Sequence, residues 1–374
     1  MTTTMKLMAT SCLTLAAALT ATLAVADGHM ADEMTIVSWG GAYSASQQNA
    51  YHAPYIEATG VNIINDESSS EAVAKMRAMN EAGNVTWDLV DVEAADAIRL
   101  CDEGLAMEID VDEVLAPAPD GTSATDDFGG ALISDCFIPQ IVFSTTFGYR
   151  TDMVPAGVAP PTGACDVFDL ETYPGQRALN RSPTANMEWA LICDGVAYDD
   201  VYDLLETDAG QAQAFAMLDT IKDQTIWWTA AAETPQLLAD GEIFMGSTYN
   251  GRLFSLIAEH DQPVGMAWDW QMFDLDGWII PADLPADRLA RVLDYVYFAT
   301  DTQRLADQAA YISYGPTRAS SAPLVGNHAE LGIPMAEHMP TDPNNAENTF
   351  YNNYVWWADY RDDLDAKFQT WLAQ

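Results

Sequence analysis

The sequence predicts an α/β fold, because short β-rich segments alternate repeatedly with segments of helical spacing along the 374 residues. Hydrophobic residues make up 49% of the chain, which is enough to build a sizeable core despite the high charge. The length suits two ordinary domains or one large domain. No internal repeat or low-complexity linker interrupts the alternation, so we expect a globular α/β protein.

The first residues have the composition of an export signal. Lys6 and the amino terminus supply positive charge, an apolar run extends from Leu13 to Val25, and Ala24-Val25-Ala26 fits a cleavage site. These features predict a signal peptide over residues 1–26. Since no later run reaches about 18 apolar residues, we expect an exported mature chain without a membrane span.

Glycines end several predicted elements in the first half of the mature chain. Gly40 follows the first β-rich run, Gly60 stops a polar helical segment, and Gly104 closes a short helix. Ser68 and Glu71 have the spacing of a capping box ahead of another helix. The predicted strands here are 35–39, 61–64, 86–92 and 138–143, and the predicted helices are 44–59, 73–79 and 94–103.

The second half continues the alternation and ends in an amphipathic helix. Leu364, Phe368, Trp371 and Leu372 fall on one face of that last helix, which predicts that it packs against the core. The predicted strands are 243–247, 265–268 and 277–280. The predicted helices are 187–193, 208–222, 235–240, 250–259, 285–300, 303–311 and 359–372.

The charge of the chain is strongly one-sided. It has 56 acidic residues against 15 basic ones, a formal net charge of -41 and a pI near 4.1. This balance argues against nucleic acids and anionic membrane surfaces, because too few cations are present to neutralise phosphates. It favours cationic small molecules. General surface solvation is the simpler explanation of the whole charge, so each candidate carboxylate needs its own argument.

Four cysteines remain after removal of the signal peptide. An even number in an oxidising compartment predicts two disulfides, and four cysteines allow three pairings. Sequential pairing closes the shortest loops and is favoured: Cys101 with Cys136, and Cys165 with Cys193. A metal cluster is the alternative, but the chain has no C-x-x-C motif and its five histidines are scattered. No metal and no cofactor is therefore predicted.

Motifs of known catalytic sites are missing from the sequence. It contains no G-x-S-x-G elbow, no G-x-G-x-x-G, no P-loop and no H-E-x-x-H. A carboxylate pair of the glycosidase type stays open as a hypothesis, although acids are so numerous that the signal has little weight. Aromatic residues are more informative, since a ring and a carboxylate together hold an ammonium group well.

Short motifs follow one another in a characteristic order along residues 34–374. They are Ser38-Trp39-Gly40, Glu67-Ser68-Ser69-Ser70-Glu71, Trp87-Asp88-Leu89-Val90, Tyr173-Pro174-Gly175, Tyr249-Asn250-Gly251, Phe273-Asp274-Leu275-Asp276 and Tyr314-Gly315-Pro316-Thr317. With this order, the mature chain resembles the periplasmic solute-binding proteins of ABC importers, in particular the spermidine/putrescine-binding family.

The resemblance implies a two-lobed periplasmic binding protein fold of type II, with a hinged ligand cleft. Lobe 1 would contain residues 27–143 and 277–316, and lobe 2 would contain residues 144–276 and 317–374. It also implies a monomeric protein of the periplasm that binds a small ligand and passes it to an ABC transporter permease. No enzyme activity is expected.

The resemblance also implies a set of ligand contacts. Asp276 matches the amine-binding carboxylate of the family, and Glu188 is the candidate acid for a distal amine. Tyr249 stands where a Trp usually flanks the methylene chain of the ligand. The complete set of predicted contacts is Trp39, Tyr43, Ser69, Glu93, Glu188, Tyr249, Arg252, Asp274, Asp276 and Tyr314.

Two departures from the family pattern leave the charge of the ligand open. Asp274 stands where the family has a bulky aromatic residue, and together with Glu93 and Asp276 it would suit a di- or polycation. Arg252 stands where some relatives carry an acid. If it faces the cleft, it can pair with a ligand carboxylate, and the ligand is then a zwitterion such as an ω-amino acid. If it turns outward, it pairs with a surface acid.

The first functional hypothesis is therefore a receptor for polyamines of the putrescine and spermidine class. The second keeps the fold but takes an amino acid, a guanidino compound or a betaine as the ligand. The third, from another class, is a secreted hydrolase that uses a carboxylate pair.

Overall fold

The computed structural model describes residues 30–374, and the predicted signal peptide over residues 1–26 lies outside the described residues. The strands are β1 (Glu33–Val37), β2 (Asn62–Asp66), β3 (Leu89–Glu93), β4 (Ile138–Arg150), β5 (Arg177–Asn180), β6 (Thr225–Trp228), β7 (Met245–Tyr249), β8 (Val264–Ile279), β9 (Gly315–Pro316) and β10 (Thr349–Tyr351).

The helices follow the strands in alternation, so the predicted α/β class is confirmed. They are α1 (Gly41–Gln47), α2 (Ala53–Thr59), α3 (Ala72–Glu81), α4 (Ala94–Asp102), α5 (Val111–Val114), α6 (Ala124–Phe128), α7 (Asn186–Cys193), α8 (Val201–Leu205), α9 (Asp208–Asp219), α10 (Glu233–Ala239), α11 (Asn250–Phe254), α12 (Ala286–Ala299), α13 (Thr302–Gln308) and α14 (Tyr354–Leu372). A π-helical turn, Gln48–His52, joins α1 to α2. Within residues 30–374, no helix has the length and apolar character that crossing a membrane requires.

Within the described residues, the strands form one mixed sheet of ten strands. The order along the sheet is β2-β1-β3-β8-β4-β7-β5-β6, with β10 beside β8 and β9 beside β4. Strands β1, β2 and β3 run parallel to one another, and so do β5, β6 and β7. The two parallel groups are separated by β8 and β4, which pair antiparallel to each other and to β3 and β7, whereas β10 pairs parallel to β8.

The strands β4 and β8 are the longest and connect the two parallel groups. They pair with each other from Ile138 opposite Trp278 to Arg150 opposite Val264. The sequence predicts two short strands in this region, 265–268 and 277–280. The structure shows one continuous strand of 16 residues there. That part of the prediction is wrong, since acidic residues are held within the strand.

Apolar side chains form two core regions from different parts of the chain. The first is built mainly from residues 34–139 and 275–305, with Tyr55, Phe137 and Trp278 fully buried. The second is built mainly from residues 147–272 and 350–371. The predicted lobe boundaries at 143/144 and 276/277 fall inside β4 and β8, and the division into lobes at these positions stays a prediction.

Two disulfides join the cysteine pairs that sequential pairing predicts. Cys101 is bonded to Cys136, and Cys165 is bonded to Cys193. The bonded residues are 35 and 28 positions apart. Closing loops of this size restricts the unfolded chain and stabilises the fold by about 3–4 kcal/mol per bridge in the chain-entropy account.

One local prediction from sequence is wrong. Ser68 and Glu71 do not form a capping box, because helix α3 begins only at Ala72 and no side chain caps it. A short 3-10 turn precedes it, and the Glu71 carboxylate pairs with the Lys75 ammonium at 2.8 Å instead. Strands β5 and β6 were also not predicted, since each contains only four residues.

We predict that Gly277→Ala destabilises the protein, because β8 and β4 approach each other too closely for a side chain there. An added Cβ would lie 2.3 Å from the Ile138 carbonyl oxygen and 2.8 Å from the Phe137 ring. The expected loss is about 1–3 kcal/mol in the free energy of unfolding, measured by urea denaturation. Gly326→Ala is the control, since nothing lies within 4 Å of its added Cβ. Equal stabilities of the two variants would contradict the prediction.

Candidate functional site

A cavity of about 480 Å³ lies between elements of the two core regions. Trp39 and Glu93, which follow β1 and end β3, line one part of it. Trp189 of α7, Trp228 of β6 and Arg361 of α14 line another part. The volume is in the range of about 300–1,000 Å³ that is usual for small-molecule sites.

A smaller chamber of about 20 Å³ adjoins the main cavity. It shares Trp39, Glu93, Tyr249 and Arg252 with the main cavity. The rest of its lining is Tyr43, Ile141, Phe143, Asp276 and Tyr314. Since a site of about 10–15 Å³ holds one water molecule, this chamber accommodates a single group of ammonium size. It is bordered by aromatic rings, by the carboxyl groups of Glu93 and Asp276, and by the Arg252 guanidinium.

The turn from β1 into α1 presents Trp39 to both cavities. Gly40 and Gly41 follow it with positive φ angles of 73° and 59°, which residues with a side chain adopt only at a cost. A Cβ on Gly41 would lie 3.0 Å from an Nη atom of Arg252. The two glycines therefore allow a sharp turn and a close approach of the Arg252 guanidinium.

Four carboxyl groups share one face of the sheet at this place. Asp91 and Glu93 are alternate residues of β3, and Asp274 and Asp276 are alternate residues of β8, so each pair points to one side. The register places Glu93 directly opposite Asp276. Like charges at opposed positions of a sheet repel each other, which favours the protonated forms.

Burial raises the pKa of every one of these carboxyl groups. The pKa of Asp91 rises to about 6 and that of Glu93 to about 7, because desolvation penalises the charged form. Burial, and then the neighbouring carboxylates, raise the pKa values of Asp274 and Asp276 well above the usual range. A cation placed among these groups would favour their ionised forms.

Neutral side-chain donors form hydrogen bonds with two of the four carboxyl groups, Asp91 and Asp274. The Asp91 carboxyl accepts hydrogen bonds from Gln47 Nε2 and from the Tyr43 hydroxyl, and Asp274 Oδ2 accepts one of 2.6 Å from Asn352 Nδ2. Asp276 Oδ1 has no hydrogen-bond partner within the described chain, although Asp276 is only 4% exposed. Such an atom costs free energy unless a ligand, a water or a proton satisfies it.

Arg252 lines both cavities and is 9% exposed. One Nη atom donates weakly to the carbonyl oxygens of Trp39 and Gly40 at 3.4 Å, and Nε has no partner among residues 30–374. No carboxylate of the described residues lies within 4.0 Å of its guanidinium. The arginine therefore faces the cavities rather than pairing with a surface acid, and it is open to a ligand anion.

The structure gathers eight of the ten predicted contact residues around the two cavities. These are Trp39, Tyr43, Glu93, Tyr249, Arg252, Asp274, Asp276 and Tyr314. Whether each of them touches a ligand stays a prediction. Ser69 is buried and lines neither cavity, and its neighbour Ser70 lines the larger one instead.

Glu188 lies in the second core region, where it lines neither cavity and is fully buried. Its Oε1 accepts hydrogen bonds from Trp357 Nε1 at 2.7 Å and from the Tyr202 hydroxyl at 3.3 Å. The expectation that it meets a distal amine is therefore not supported by its position. The residue belongs to the packing between α7 and α14.

Sequence reasoning missed two residues that matter here. Asp91 interrupts the otherwise apolar strand β3 two positions before Glu93, and this unusual acid was the available signal. Arg361 comes from the last helix, far away in sequence, and lowers the pKa of Glu93 by its charge. Nothing in its local sequence indicates that it lines a cavity.

Comparisons with known proteins agree with one another. The family model described as "Bacterial extracellular solute-binding protein" matches residues 50–341. The γ-aminobutyric acid-binding protein of Pseudomonas aeruginosa is 32% identical over 341 residues, which are 91% of this chain and 91% of that protein.

Solved structures match nearly the whole chain. A structure of the binding protein AgtB from A. tumefaciens R10, in complex with agropinic acid, is 28% identical, with a TM-score of 0.77 and coverage of 92% of this chain and 100% of that one. A structure of a GABA receptor is 27% identical, with a TM-score of 0.75 and coverage of 91% and 98%. These alignments confirm the predicted two-lobed α/β fold.

We predict that Glu188→Gln changes how stability depends on pH. Burial raises the pKa of Glu188 from 4.5 to about 7, so the folded protein binds the proton more tightly than the unfolded chain does. The parent therefore loses stability as the pH rises between these values, and the variant avoids this loss. Between pH 5 and 8, the difference in free energy of unfolding should shift by about 2–3 kcal/mol towards the variant.

The measurement is urea unfolding of both proteins at several pH values. Glu206→Gln is the matched control, since Glu206 also accepts a hydrogen bond from a Trp indole but is exposed. Parallel pH profiles of the parent and Glu188→Gln would show that Glu188 titrates normally.

Proposed function

The chain belongs to the bacterial extracellular solute-binding protein family of ABC importers, and from this we propose that its ligand is a small zwitterion with well-separated charges. An ω-amino acid such as γ-aminobutyric acid has this form. The protein would bind it in the periplasm and deliver it to an ABC permease. The two lobes, divided as predicted from the sequence, would close over the ligand.

Arg252 is the observation that carries this proposal. A guanidinium that is almost fully buried, without a carboxylate partner in residues 30–374, requires an anion or water to satisfy it. Its planar donors match a ligand carboxylate in two parallel hydrogen bonds. A purely cationic ligand would leave this charge unpaired and would add a repulsion.

The small chamber provides the acidic and aromatic part of the proposed site, and Arg252 lies where this chamber adjoins the larger cavity. Asp276 and Glu93 offer carboxyl oxygens there, and the rings of Tyr43, Tyr249 and Tyr314 offer the aromatic faces that attract an ammonium group. The chamber has room for the ammonium group alone, so the methylene chain would extend into the larger cavity.

The relatives support the same ligand class. The Pseudomonas aeruginosa relative is named for γ-aminobutyric acid binding, and a solved relative is a GABA receptor. Another solved relative holds agropinic acid. Two solved structures of spermidine/putrescine proteins are 17% and 14% identical to this chain. At such low identity the similarity supports a common fold but not a common ligand. The family and these relatives bind solutes, and they lend no support to the hydrolase hypothesis.

A polyamine is the second candidate, because the carboxyl groups of Glu93, Asp274 and Asp276 line the two cavities. They would hold a dication well if Arg252 moved away from the cavity. The second candidate thus requires a rearrangement that the zwitterion does not.

The test is titration calorimetry of the mature protein with γ-aminobutyric acid, 5-aminopentanoic acid, agropinic acid, glycine betaine, putrescine and spermidine. We expect an ω-amino acid to bind more tightly than either polyamine by about tenfold or more, which corresponds to about 1.4 kcal/mol. A polyamine that binds most tightly would support the second candidate. Absence of heat with every ligand would overturn both.

We predict that Arg252→Met weakens the binding of γ-aminobutyric acid by about 30-fold to 1,000-fold, since the ligand carboxylate loses its charged partner. The affinity for putrescine should stay equal or increase, because a like charge is removed from the site. Arg77→Met is the control, as Arg77 forms an exposed ion pair with Glu103 outside the cavities. Equal losses for both ligands would indicate general damage to the cavity.

A further inference from the structure

We propose that Asp91 and Asp276 hold one shared proton in the ligand-free protein, and that an ammonium group bound at Asp276 displaces this proton to the solvent. The inference rests on the proposed function, because it concerns the ammonium end of the same site. Asp91 acts in it as a positioning residue, since it is fully buried and lines neither cavity.

The two carboxyl groups are diagonal neighbours on one face of the paired strands β3 and β8, because Glu93 lies opposite Asp276 and Asp91 lies two residues before Glu93. Both are buried, and two ionised carboxylates in such a place repel each other and can be joined only through a proton, because both are acceptors only. No Lys, Arg or His within the described chain lies within 4.0 Å of either group to replace the proton with an ion pair. The pair therefore needs a proton or an external cation.

The Asp276 carboxyl group is the member of the pair that borders a cavity. Asp276 Oδ1 has no partner in residues 30–374, and Asp276 lines the small chamber. Asp91 accepts a hydrogen bond from Gln47 Nε2, and it shares the single Tyr43 hydroxyl proton, at 3.4 Å, with Gln140 Oε1 at 3.0 Å. An ammonium group in the chamber would donate to the Asp276 carboxylate and replace the charge of the proton.

The groups around the pair come from every packed element. Trp39 and Tyr43 face it from the β1–α1 segment, and Glu93 faces it from β3. Asp274 acts on it from β8, and Gln140 of β4 accepts hydrogen bonds from Tyr43 and Gln47. The other charged or titratable groups nearby are Tyr51, Tyr295, Tyr314, Arg252 and Arg361. Acids outnumber cations here, so the surroundings favour retention of the proton.

The step is balanced without any further reactant. The O–H bond of the carboxyl pair breaks, the proton goes to the buffer, and the ammonium group takes its place with no change in its own protonation. Burial raises the pKa of Asp91 to about 6 and that of Asp276 well above the usual range, so the pair keeps a proton near neutrality. Below the pKa of the pair, the affinity should rise about tenfold per pH unit for one released proton.

The test is calorimetric titration of the mature protein with γ-aminobutyric acid near pH 7, in phosphate and in Tris, whose ionisation enthalpies differ. The carboxyl and amine groups of this probe titrate outside the range from about pH 5.5 to 8.5, so any proton comes from the protein. We expect a release of about one proton or more per ligand bound.

Asp91→Asn isolates the contribution of the pair. Its amide oxygen would accept from Gln47, and its amide nitrogen would donate to an ionised Asp276, so the shared proton is no longer needed. The proton release should fall by about one, and the affinity should depend less on pH. Asp102→Asn is the control with the same change in charge, because Asp102 is exposed at the end of α4.

Glu93→Gln keeps the test decisive if Asp91→Asn does not fold. It removes the other titrating carboxyl group of β3, and the release of about one proton should persist. If the release disappears in Glu93→Gln, or if it is unchanged in a folded Asp91→Asn, the shared proton is refuted. Binding without proton exchange in the parent refutes it as well. Absence of binding at every pH would instead count against the proposed function.

Discussion

The burial of four carboxyl groups on one face of β3 and β8 is the constraint on which the site depends. Each ionised carboxylate that leaves water loses several kcal/mol of solvation, and the described chain places no cation within ion-pair distance of Asp91 or Asp276. The apo protein therefore relies on neutral donors such as Gln47 and Asn352, and on protonation. A ligand cation relieves this strain, which explains how a small molecule gains affinity from few contacts.

The position of these groups is fixed by strands rather than by loops. Strand β8 is hydrogen-bonded to β3 on one side and to β4 on the other. The backbone at Asp274 and Asp276 is therefore held rigidly within the sheet. Gly277 lets β4 approach closely beside them, and the irregular register between Pro139 and Ile141 turns Gln140 towards Tyr43 and Gln47. A site built on such strands is preorganised, so little free energy is lost on binding to order the side chains of β3 and β8.

The sequence predicts the parts of the site that lie within short motifs. Trp39 before two glycines, and Asp276 beside Asp274, were recognisable because they lie in short motifs that resemble those of a known family. Asp91 was not, since its role follows from the register that places β3 against β8. Glu188 was misplaced because one face of a short helix cannot be assigned to a cavity or a core without its partners, and Trp357 lies 169 residues away. The same limit applies to Arg361, which only the packing of α14 brings near Glu93.

The net charge of -41 does not determine the charge of the ligand. Salt screens the field of exposed carboxylates beyond about 8–10 Å, so this field can attract an ammonium end but cannot select among amines. Selection takes place at short range, where water is excluded and each unpaired charge is costly. A dication would satisfy Asp276 and Glu93 and leave Arg252 beside a like charge, whereas a zwitterion of suitable length satisfies both ends. One buried guanidinium can therefore have a larger effect on which ligand binds than the net charge of the whole surface.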